Sequence, residues 1–187
     1  MFQVVVADCP WRFGDKLPGV RGAESHYPCM STPDLMELEL PPIHDDAILF
    51  NWYVASMLED AVAVTNAWGF TIKTQMIWVK TKNGVVDDTV DETDLAFGMG
   101  RSVRAAHEGC LIATRGKYTR LITTKNIRSV FFAPRGEHSA KPEKFFQLVE
   151  SLCGDGLNYL ELFARKPRSG WTGIGNELGS TLQVSDG

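Results

Sequence analysis

Cysteine is scarce in this chain, and none of its four cysteines belongs to a C-x-x-C pair. This spacing indicates neither a zinc site nor a disulfide framework, so we predict no metal site and a reducing, cytoplasmic environment. The four cysteines lie at positions 9, 29, 110 and 153.

Long apolar runs are also missing. No stretch approaches the roughly 18 apolar residues of a membrane span, and the first residues lack the charged-then-apolar layout of a signal peptide. The chain has 187 residues, 44% of them hydrophobic, which is enough to bury one sizeable core. We therefore expect a soluble protein with a single domain over residues 1–187.

Positive charge is in deficit overall but concentrated late in the chain. The formal net charge of −4 argues against a generic nucleic-acid binder, yet residues 101–187 hold 13 Lys and Arg against 8 Asp and Glu. Residues 115–135 contain six cations and no acid, which is typical of either a phosphate-contacting strip or an ordinary solvated face. The six are Arg115, Lys117, Arg120, Lys125, Arg128 and Arg135. Residues 87–94 are strongly acidic instead, and their repulsion predicts a mobile loop over about residues 82–100.

Hydrophobic patterning predicts alternating strands and helices. Such alternation is typical of an α/β protein with a mainly parallel sheet. Helices are predicted from Thr32, over residues 54–68, and from Pro142 to Gly154, each with capping or breaking residues at its ends. The predicted strands cover residues 2–7, 47–50, 71–79, 110–113, 130–133 and 159–163.

The first predicted strand ends in Asp8, Cys9, Pro10 and Trp11. Open α/β sheets place their chemistry at the carboxyl ends of strands, so this acid is a candidate functional group. The Cys9-Pro10 step restricts the backbone and can hold a carbonyl beside the carboxylate, while Trp11 offers a flat face for stacking. Two acceptors and a platform suit an exocyclic amine on a planar ring. The alternative is a strand that runs into a proline turn.

A second group of polar residues lies near the other end of the chain. Glu161 interrupts an apolar strand, where an acid is costly unless it is paired, and such an acid commonly accepts ribose hydroxyls. Ser139 and Lys141 precede a helix, a position that favours anions. With Arg165 and Asn176 they can hold an amino-acid carboxylate and a nucleoside, both of which S-adenosylmethionine carries. Taken singly, Lys141 also fits a surface lysine and Asn176 a turn residue.

Several motifs in order resemble the MT-A family of adenine-N6 methyltransferases, over nearly the whole chain. The resemblance implies a Rossmann-like, S-adenosylmethionine-dependent methyltransferase fold in permuted order, with the catalytic segment first and the cofactor segment last. It also points to the small bacterial and phage members, and hence to the cytoplasm of a bacterial or phage-infected cell. The motifs are D-C-P-W at residues 8–11, W-V-K-T at 78–81, E-G-C-L at 108–111, K-P at 141–142, E-L-F-A-R at 161–165 and G-N-E-L at 175–178.

The resemblance implies a role for each candidate site residue. Residues 8–11 match the family's catalytic D-P-P-W, although Cys9 replaces the first proline and leaves only its backbone carbonyl in common. Glu177 stands where the mRNA enzyme has an amide. The implied cofactor-binding residues are Ser139, Lys141, Glu161, Arg165, Asn176 and Glu177, and the expected substrate-binding residues are Tyr27, Lys80, Lys117, Arg120 and Lys125.

The implied chemistry acts on a poor nucleophile, because the lone pair of adenine N6 is delocalised into the ring. Asp8 and the Cys9 carbonyl would each accept one N–H and turn the lone pair towards the methyl donor. A base inside a duplex cannot reach such a corner, so the target is single-stranded, distorted or flipped. DNA is the favoured substrate, because the compact chain shows no zinc-finger or basic module. RNA adenosine, cytosine-N4 methylation and a non-catalytic partner subunit remain alternatives, and a homodimer is left open.

Overall fold

The computed structural model describes residues 1–12, 29–85, 89–98, 102–136 and 140–179. In this part of the chain, seven strands form one sheet and three α-helices pack on it. The strands are β1 (Phe2–Ala7), β2 (Ile43–Tyr53), β3 (Thr71–Thr81), β4 (His107–Arg115), β5 (Val130–Pro134), β6 (Tyr159–Leu162) and β7 (Trp171–Ile174). The helices are α1 (Thr32–Met36), α2 (Leu58–Ala67) and α3 (Glu143–Cys153).

The strand order across the sheet is β5-β3-β4-β2-β1-β6-β7. All neighbouring pairs are parallel except those that include β4, which runs antiparallel to both β2 and β3. The carboxyl ends of six strands therefore meet the amino end of β4 at one edge, which we call the C-terminal edge. This mixed, mainly parallel sheet confirms the predicted Rossmann-like α/β fold.

Helices cover both faces of the sheet, which explains why its central strands are apolar throughout. In β1, Val5 and Ala7 pack in a core cluster with residues of α1 and α2, whereas Val4 and Val6 pack in a second cluster with residues of α3. Side chains alternate between the two faces along a strand. The residues that follow β1 consequently divide between a face covered by α1 and α2 and a face covered by α3.

The helix boundaries follow from capping residues. Pro142 precedes α3, and Gly154 ends it with a φ of +78°, a conformation that glycine adopts without strain. The cap of α1 differs from the prediction, because Ser31 rather than Thr32 accepts the hydrogen bond from the Asp34 amide. Helix α2 is also shorter than predicted, since residues 55–57 form a 3-10 turn before it.

Three strand predictions need correction. The sheet has a seventh strand, β7, in a segment where no strand was predicted. Strand β2 is eleven residues long rather than four, because polar Asp45 and Asn51 lie within it. Strand β4 runs against its neighbours, and this reversal changes where the following basic segment lies.

The described part of the acidic loop pairs with the end of β3. The Ala96 amide donates to the Lys80 carbonyl at 2.7 Å, and the Lys82 amide donates to the Asp94 carbonyl at 2.8 Å. Asp91 caps a short 3-10 turn over Glu92–Asp94. The charge pattern predicted a mobile loop, but backbone pairing holds this part of it against the sheet. Among the described helices, none is long and apolar enough to cross a membrane.

Candidate active site

Asp8 directly follows β1 in the middle of the C-terminal edge, as the sequence predicts. Its neighbours across the sheet are the ends of β2 and β6, which pair with β1 on either side. By alternation, Asp8 lies on the α3 face together with Val6, whereas Cys9 packs in the core cluster on the α1 and α2 face. The side chains of these two successive residues thus lie on opposite faces of the sheet.

Asp8 belongs to a network of four charged side chains, with Lys141, Glu108 and Lys80. The Lys141 ammonium lies 2.8 Å from Asp8 Oδ1 and 3.3 Å from Glu108 Oε2, and only 9% of the Lys141 side chain is exposed. Lys80 also pairs with Glu108. The Lys141 ammonium lies 5.3 Å from the centroid of the Trp52 ring. A nearly buried lysine shared by two carboxylates therefore sets the orientation of the Asp8 carboxyl group.

The charges in this network shift one another's pKa. Burial would lower the pKa of Lys141, but Asp8 and Glu108 outweigh it and raise that pKa above its ordinary value. Burial would likewise raise the pKa of Glu108, yet Lys141 and Lys80 bring it below its ordinary value. Both groups are therefore charged at neutral pH. Coupled charges of this kind at the edge of a sheet are typical of a functional site.

Hydrogen bonds fix the backbone after Asp8. The Trp11 amide donates to the Cys9 carbonyl at 2.9 Å, and the Met30 amide donates to the Pro10 carbonyl at 2.8 Å. The Trp11 indole donates to the Trp52 carbonyl at 3.2 Å. Trp11 is only 6% exposed, so the predicted open stacking face is wrong. Its ring instead anchors the corner to β2.

Strands β6 and β7 supply a second, more open group of residues at this edge. Glu161 is partly buried on β6, and no hydrogen bond to it occurs among the described residues. Burial raises its pKa; Arg168 acts in the opposite direction and Asp8 adds to the rise. Phe163, two residues after Glu161, has a φ of +62°. Such strained conformations cluster near functional sites.

These residues fit S-adenosylmethionine. A partly buried carboxylate that accepts no hydrogen bond from the described residues can accept hydrogen bonds from hydroxyl groups such as those of a ribose. Arg165 is half-buried just after β6, and exposed Asn176 begins the 3-10 turn that follows β7. Lys141 is different, because its ammonium already binds Asp8 and Glu108. It thus lies with the catalytic group rather than only with the cofactor group.

Three predicted site residues cannot be assigned a geometry. Tyr27 and Ser139 lie outside the described residues, and for Glu177 only the backbone is described. Lys80, by contrast, lies in the charge network beside Asp8, through its contact with Glu108.

The part of the basic segment between β4 and β5 lies at the opposite edge of the sheet from Asp8, whereas Arg135 follows β5 at the C-terminal edge. Because β4 is antiparallel, its last residue, Arg115, meets the start of β2 and donates to the His44 carbonyl at 2.8 Å. Lys117, Arg120 and Lys125, which the sequence predicts to bind the substrate, therefore lie away from the catalytic edge. They do not lie near Lys80, the other predicted substrate-binding residue that the structure describes.

The structure adds Glu108, Trp52 and Asn51 to the site, none of which the sequence analysis assigned a role. Glu108 begins β4 and Trp52 and Asn51 lie near the end of β2, so all three reach the C-terminal edge. Two signals were available, since Glu108 and Asn51 are polar residues beside or inside apolar runs. Glu108 pairs with Lys141 and Asn51 with Cys9, and both of these partners are more than 30 residues away, which hides the pairing from local patterns.

The fold and this edge define the chain as a Rossmann-like methyltransferase domain. The family model described as MT-A70 matches residues 2–177. The chain therefore belongs to the MT-A70 family of adenine-N6 methyltransferases, which confirms the resemblance carried by its motifs.

The relatives that this chain resembles differ in how much of their length it covers. The chain is 26% identical to the Type II methyltransferase M.MunI of Mycoplasma sp, over 95% of this chain and 78% of that protein. It is 27% identical to an Arabidopsis thaliana N(6)-adenosine-methyltransferase MT-A70-like protein and 26% identical to the human N(6)-adenosine-methyltransferase catalytic subunit METTL3. The chain covers 25% and 28% of these two longer proteins.

Proposed function

We propose that the chain is an S-adenosylmethionine-dependent methyltransferase that modifies the N6 amine of adenine in DNA. The observation that carries this proposal is the Asp8 carboxylate at the end of β1, oriented by Lys141 at 2.8 Å beside a hydrogen-bonded Cys9 carbonyl. Two acceptors at one corner match the two N–H groups of an exocyclic amine.

The corner acts by positioning and electrostatics. Asp8 accepts one N–H of the amine and the Cys9 carbonyl accepts the other, since a carbonyl oxygen that already binds the Trp11 amide retains a second lone pair. The nitrogen is thereby turned towards tetrahedral geometry. Glu161, Arg165 and Asn176 would hold S-adenosylmethionine, which when bound would supply an electrophilic methyl group and leave as the neutral thioether. Proton loss follows transfer, when the amine has become acidic, so Asp8 need not be a strong base.

The preference for DNA is supported by the extent of the similarity. The match covers 78% of the Type II methyltransferase M.MunI but 28% of METTL3. RNA is the second candidate, because METTL3 and its relatives are named N(6)-adenosine-methyltransferases. The experiment that separates the two is mass spectrometry of nucleosides from cells that express the protein, with DNA and RNA digested separately. N6-methyladenine in neither pool, with purified protein also inactive on both, would contradict the proposal.

A pocket beside the charge network supports a single-stranded substrate. It has a volume of about 850 Å³, and its lining includes Lys80, Glu108, Lys82, Phe97 and Arg135. Phe97 is 71% exposed, and the Arg104 guanidinium lies 5.1 Å from the centroid of its ring. An exposed aromatic ring between cations is typical of surfaces that stack a base and contact the adjoining phosphates. We assign this pocket to the nucleotides that flank the target adenine.

Substitutions in this pocket should weaken substrate binding selectively. Phe97→Ala should lower oligonucleotide affinity by about 5- to 150-fold, because base–aromatic stacking contributes about 1–3 kcal/mol. Arg135→Gln should flatten the salt dependence of binding by roughly one unit of slope. Fluorescence anisotropy at several salt concentrations measures both. The matched control is Lys117→Gln/Arg120→Gln/Lys125→Gln at the opposite edge, and an equal effect there would contradict the assignment.

Glu161→Gln should stabilise the free protein and weaken its binding of the cofactor. Since burial raises the pKa of Glu161, its ionised form is less favourable in the folded chain than in the unfolded chain. The stability that this group contributes is complete below the ordinary glutamate pKa and is lost as the pH rises through the raised folded pKa. At pH 7 we therefore expect a higher Tm for Glu161→Gln, and the difference from wild type should shrink towards acid pH.

Calorimetry checks the cofactor half of this prediction. Glu161→Gln should bind S-adenosylmethionine about tenfold more weakly, since it loses hydrogen bonds to a charged acceptor. Glu150→Gln is a suitable control, because Glu150 is an exposed residue of α3 whose carboxylate accepts from the Trp171 indole. Wild-type cofactor affinity in Glu161→Gln would remove this residue from the binding site.

A further inference from the structure

The Cys9 side chain is the start of a buried hydrogen-bond chain below the catalytic corner. Its Sγ lies 3.6 Å from Asn51 Oδ1 on β2. Asn51 Nδ2 in turn lies 3.0 Å from Thr65 Oγ1 and 3.5 Å from the Ala61 carbonyl, both on α2. Cys9 is 4% exposed, and Asn51 and Thr65 are fully buried. The chain therefore connects the catalytic corner to a helix through the core.

The direction of these hydrogen bonds is determined by the chemistry of the groups. An amide has two N–H donors, and those of Asn51 face Thr65 and Ala61, so its oxygen accepts from the Cys9 thiol. Burial raises the pKa of Cys9 well above its ordinary value, and the nearby Asp8 carboxylate adds to this, so the thiol keeps the proton it donates. Every polar group of this buried amide is thus satisfied.

A polar amide in an otherwise apolar cluster is costly and needs a reason. Asn51 is paired with Ala7 in the sheet register, directly below the corner, and its side chain is surrounded by apolar residues of the α1 and α2 face. Packing alone would be served as well by leucine. What the amide provides instead is a single, directional contact to the side chain at position 9.

We infer that the Cys9–Asn51–Thr65 chain positions the Cys9 carbonyl and replaces the stiffening effect of the proline found in the D-P-P-W motif. Proline restricts the backbone through its ring, whereas here the side chain is tied to the core by a hydrogen bond. Asn51 and Thr65 are then positioning residues that act through Cys9. The inference rests on the proposed function, because it concerns the acceptor that holds the amine.

The location of the thiol excludes a more direct role. A nucleophilic cysteine is partly exposed and has a lowered pKa, whereas Cys9 is buried and its pKa is raised. Its side chain also lies on the α1 and α2 face, whereas Lys141 binds Asp8 on the α3 face. The thiol consequently acts as a hydrogen-bond donor and not as a methyl acceptor.

The test compares Cys9→Ala, which removes the donor, with Cys9→Ser, which keeps one. Transfer of labelled methyl groups to an adenine-containing oligonucleotide should show kcat reduced about tenfold in Cys9→Ala but close to wild type in Cys9→Ser, since small misplacements of reacting groups have large effects on rate. The Kd for S-adenosylmethionine, measured by calorimetry, should be unchanged in both. Equal kcat values for Cys9→Ala and wild type would overturn the inference, as would equal losses in the Ala and Ser variants.

A double-mutant cycle tests whether Asn51 and Thr65 act through Cys9. Thr65→Val preserves size and should lower kcat less than Cys9→Ala, while Asn51→Leu should lower it by a similar factor. If the residues act as one chain, adding Asn51→Leu to Cys9→Ala should cause little further loss. If the double variant instead lost kcat by the product of the two single losses, the inference would be overturned. If Asn51→Leu does not fold, the Thr65→Val cycle gives the same comparison. A wild-type protein that methylates no nucleic acid would instead refute the proposed function itself.

Discussion

Asp8→Asn is expected to reduce methyl transfer by at least about 100-fold, the usual effect of removing a preorganised electrostatic contact to the reacting group. The substitution keeps the size of the side chain but removes its charge and one of its two acceptor atoms. The Lys141 ammonium, 2.8 Å from Asp8 Oδ1, would then face a neutral group whose N–H donors can also point at the amine. Both changes oppose the orientation that the lone pair needs.

Single-turnover methyl transfer to an oligonucleotide measures the effect, and calorimetry measures cofactor affinity in parallel. The Kd for S-adenosylmethionine should change by a much smaller factor in Asp8→Asn than the rate of methyl transfer does. The reason is that Glu161, Arg165 and Asn176 are untouched. Asp45→Asn is the matched control, since Asp45 is exposed near the start of β2 at the opposite edge. Turnover of Asp8→Asn at the rate of this control would remove the central assignment.

The position of Asp8 could be predicted from sequence because its causes are local. A strand covered on both faces is a continuous apolar run, and the acid that ends the run must lie at the carboxyl end. The same reasoning placed Glu161 on a strand of the sheet. In both cases, neighbouring residues contain all the information that the prediction needs.

The partners of these acids could not be predicted in the same way. Lys141 was expected among the cofactor-binding residues, yet its ammonium binds Asp8 and Glu108, which are distant in sequence. The direction of β4 follows from its pairing with β2 and β3, and periodicity within a strand carries no information about direction. Because the prediction lacked this reversal, it placed Lys117, Arg120 and Lys125 at the wrong edge of the sheet.

Burial of particular aromatic rings was also beyond the sequence. Trp11 was expected to offer a stacking face because it follows Pro10, but its ring lies in the core and donates to the Trp52 carbonyl. Phe97, in a segment whose acidity predicted only a mobile loop, is instead the exposed ring. Local composition identifies an aromatic residue but not which of its faces the tertiary structure leaves open.

Lys141→Met should destabilise the protein in a pH-dependent manner. The substitution keeps the length of the side chain but leaves Asp8 and Glu108 without their shared cation, at a site where only 9% of the lysine side chain is exposed. We expect the free energy of unfolding at pH 7 to fall by about 2–3 kcal/mol, less than the 3–5 kcal/mol of a fully buried pair, because Asp8 is partly solvated. Urea denaturation at several pH values measures this.

The pH dependence follows from Glu108, whose pKa is lowered in the folded protein chiefly because Lys141 and Lys80 outweigh its burial. A lowered folded pKa stabilises the wild type above the ordinary glutamate pKa, and this stabilisation is lost as the pH falls through the lowered value. The gap between wild type and Lys141→Met should therefore be widest near neutrality and narrow in acid. Adding Glu108→Gln should restore part of the stability but not methyl transfer, because Asp8 still lacks the ammonium that orients it. A gap that does not vary with pH would contradict the network.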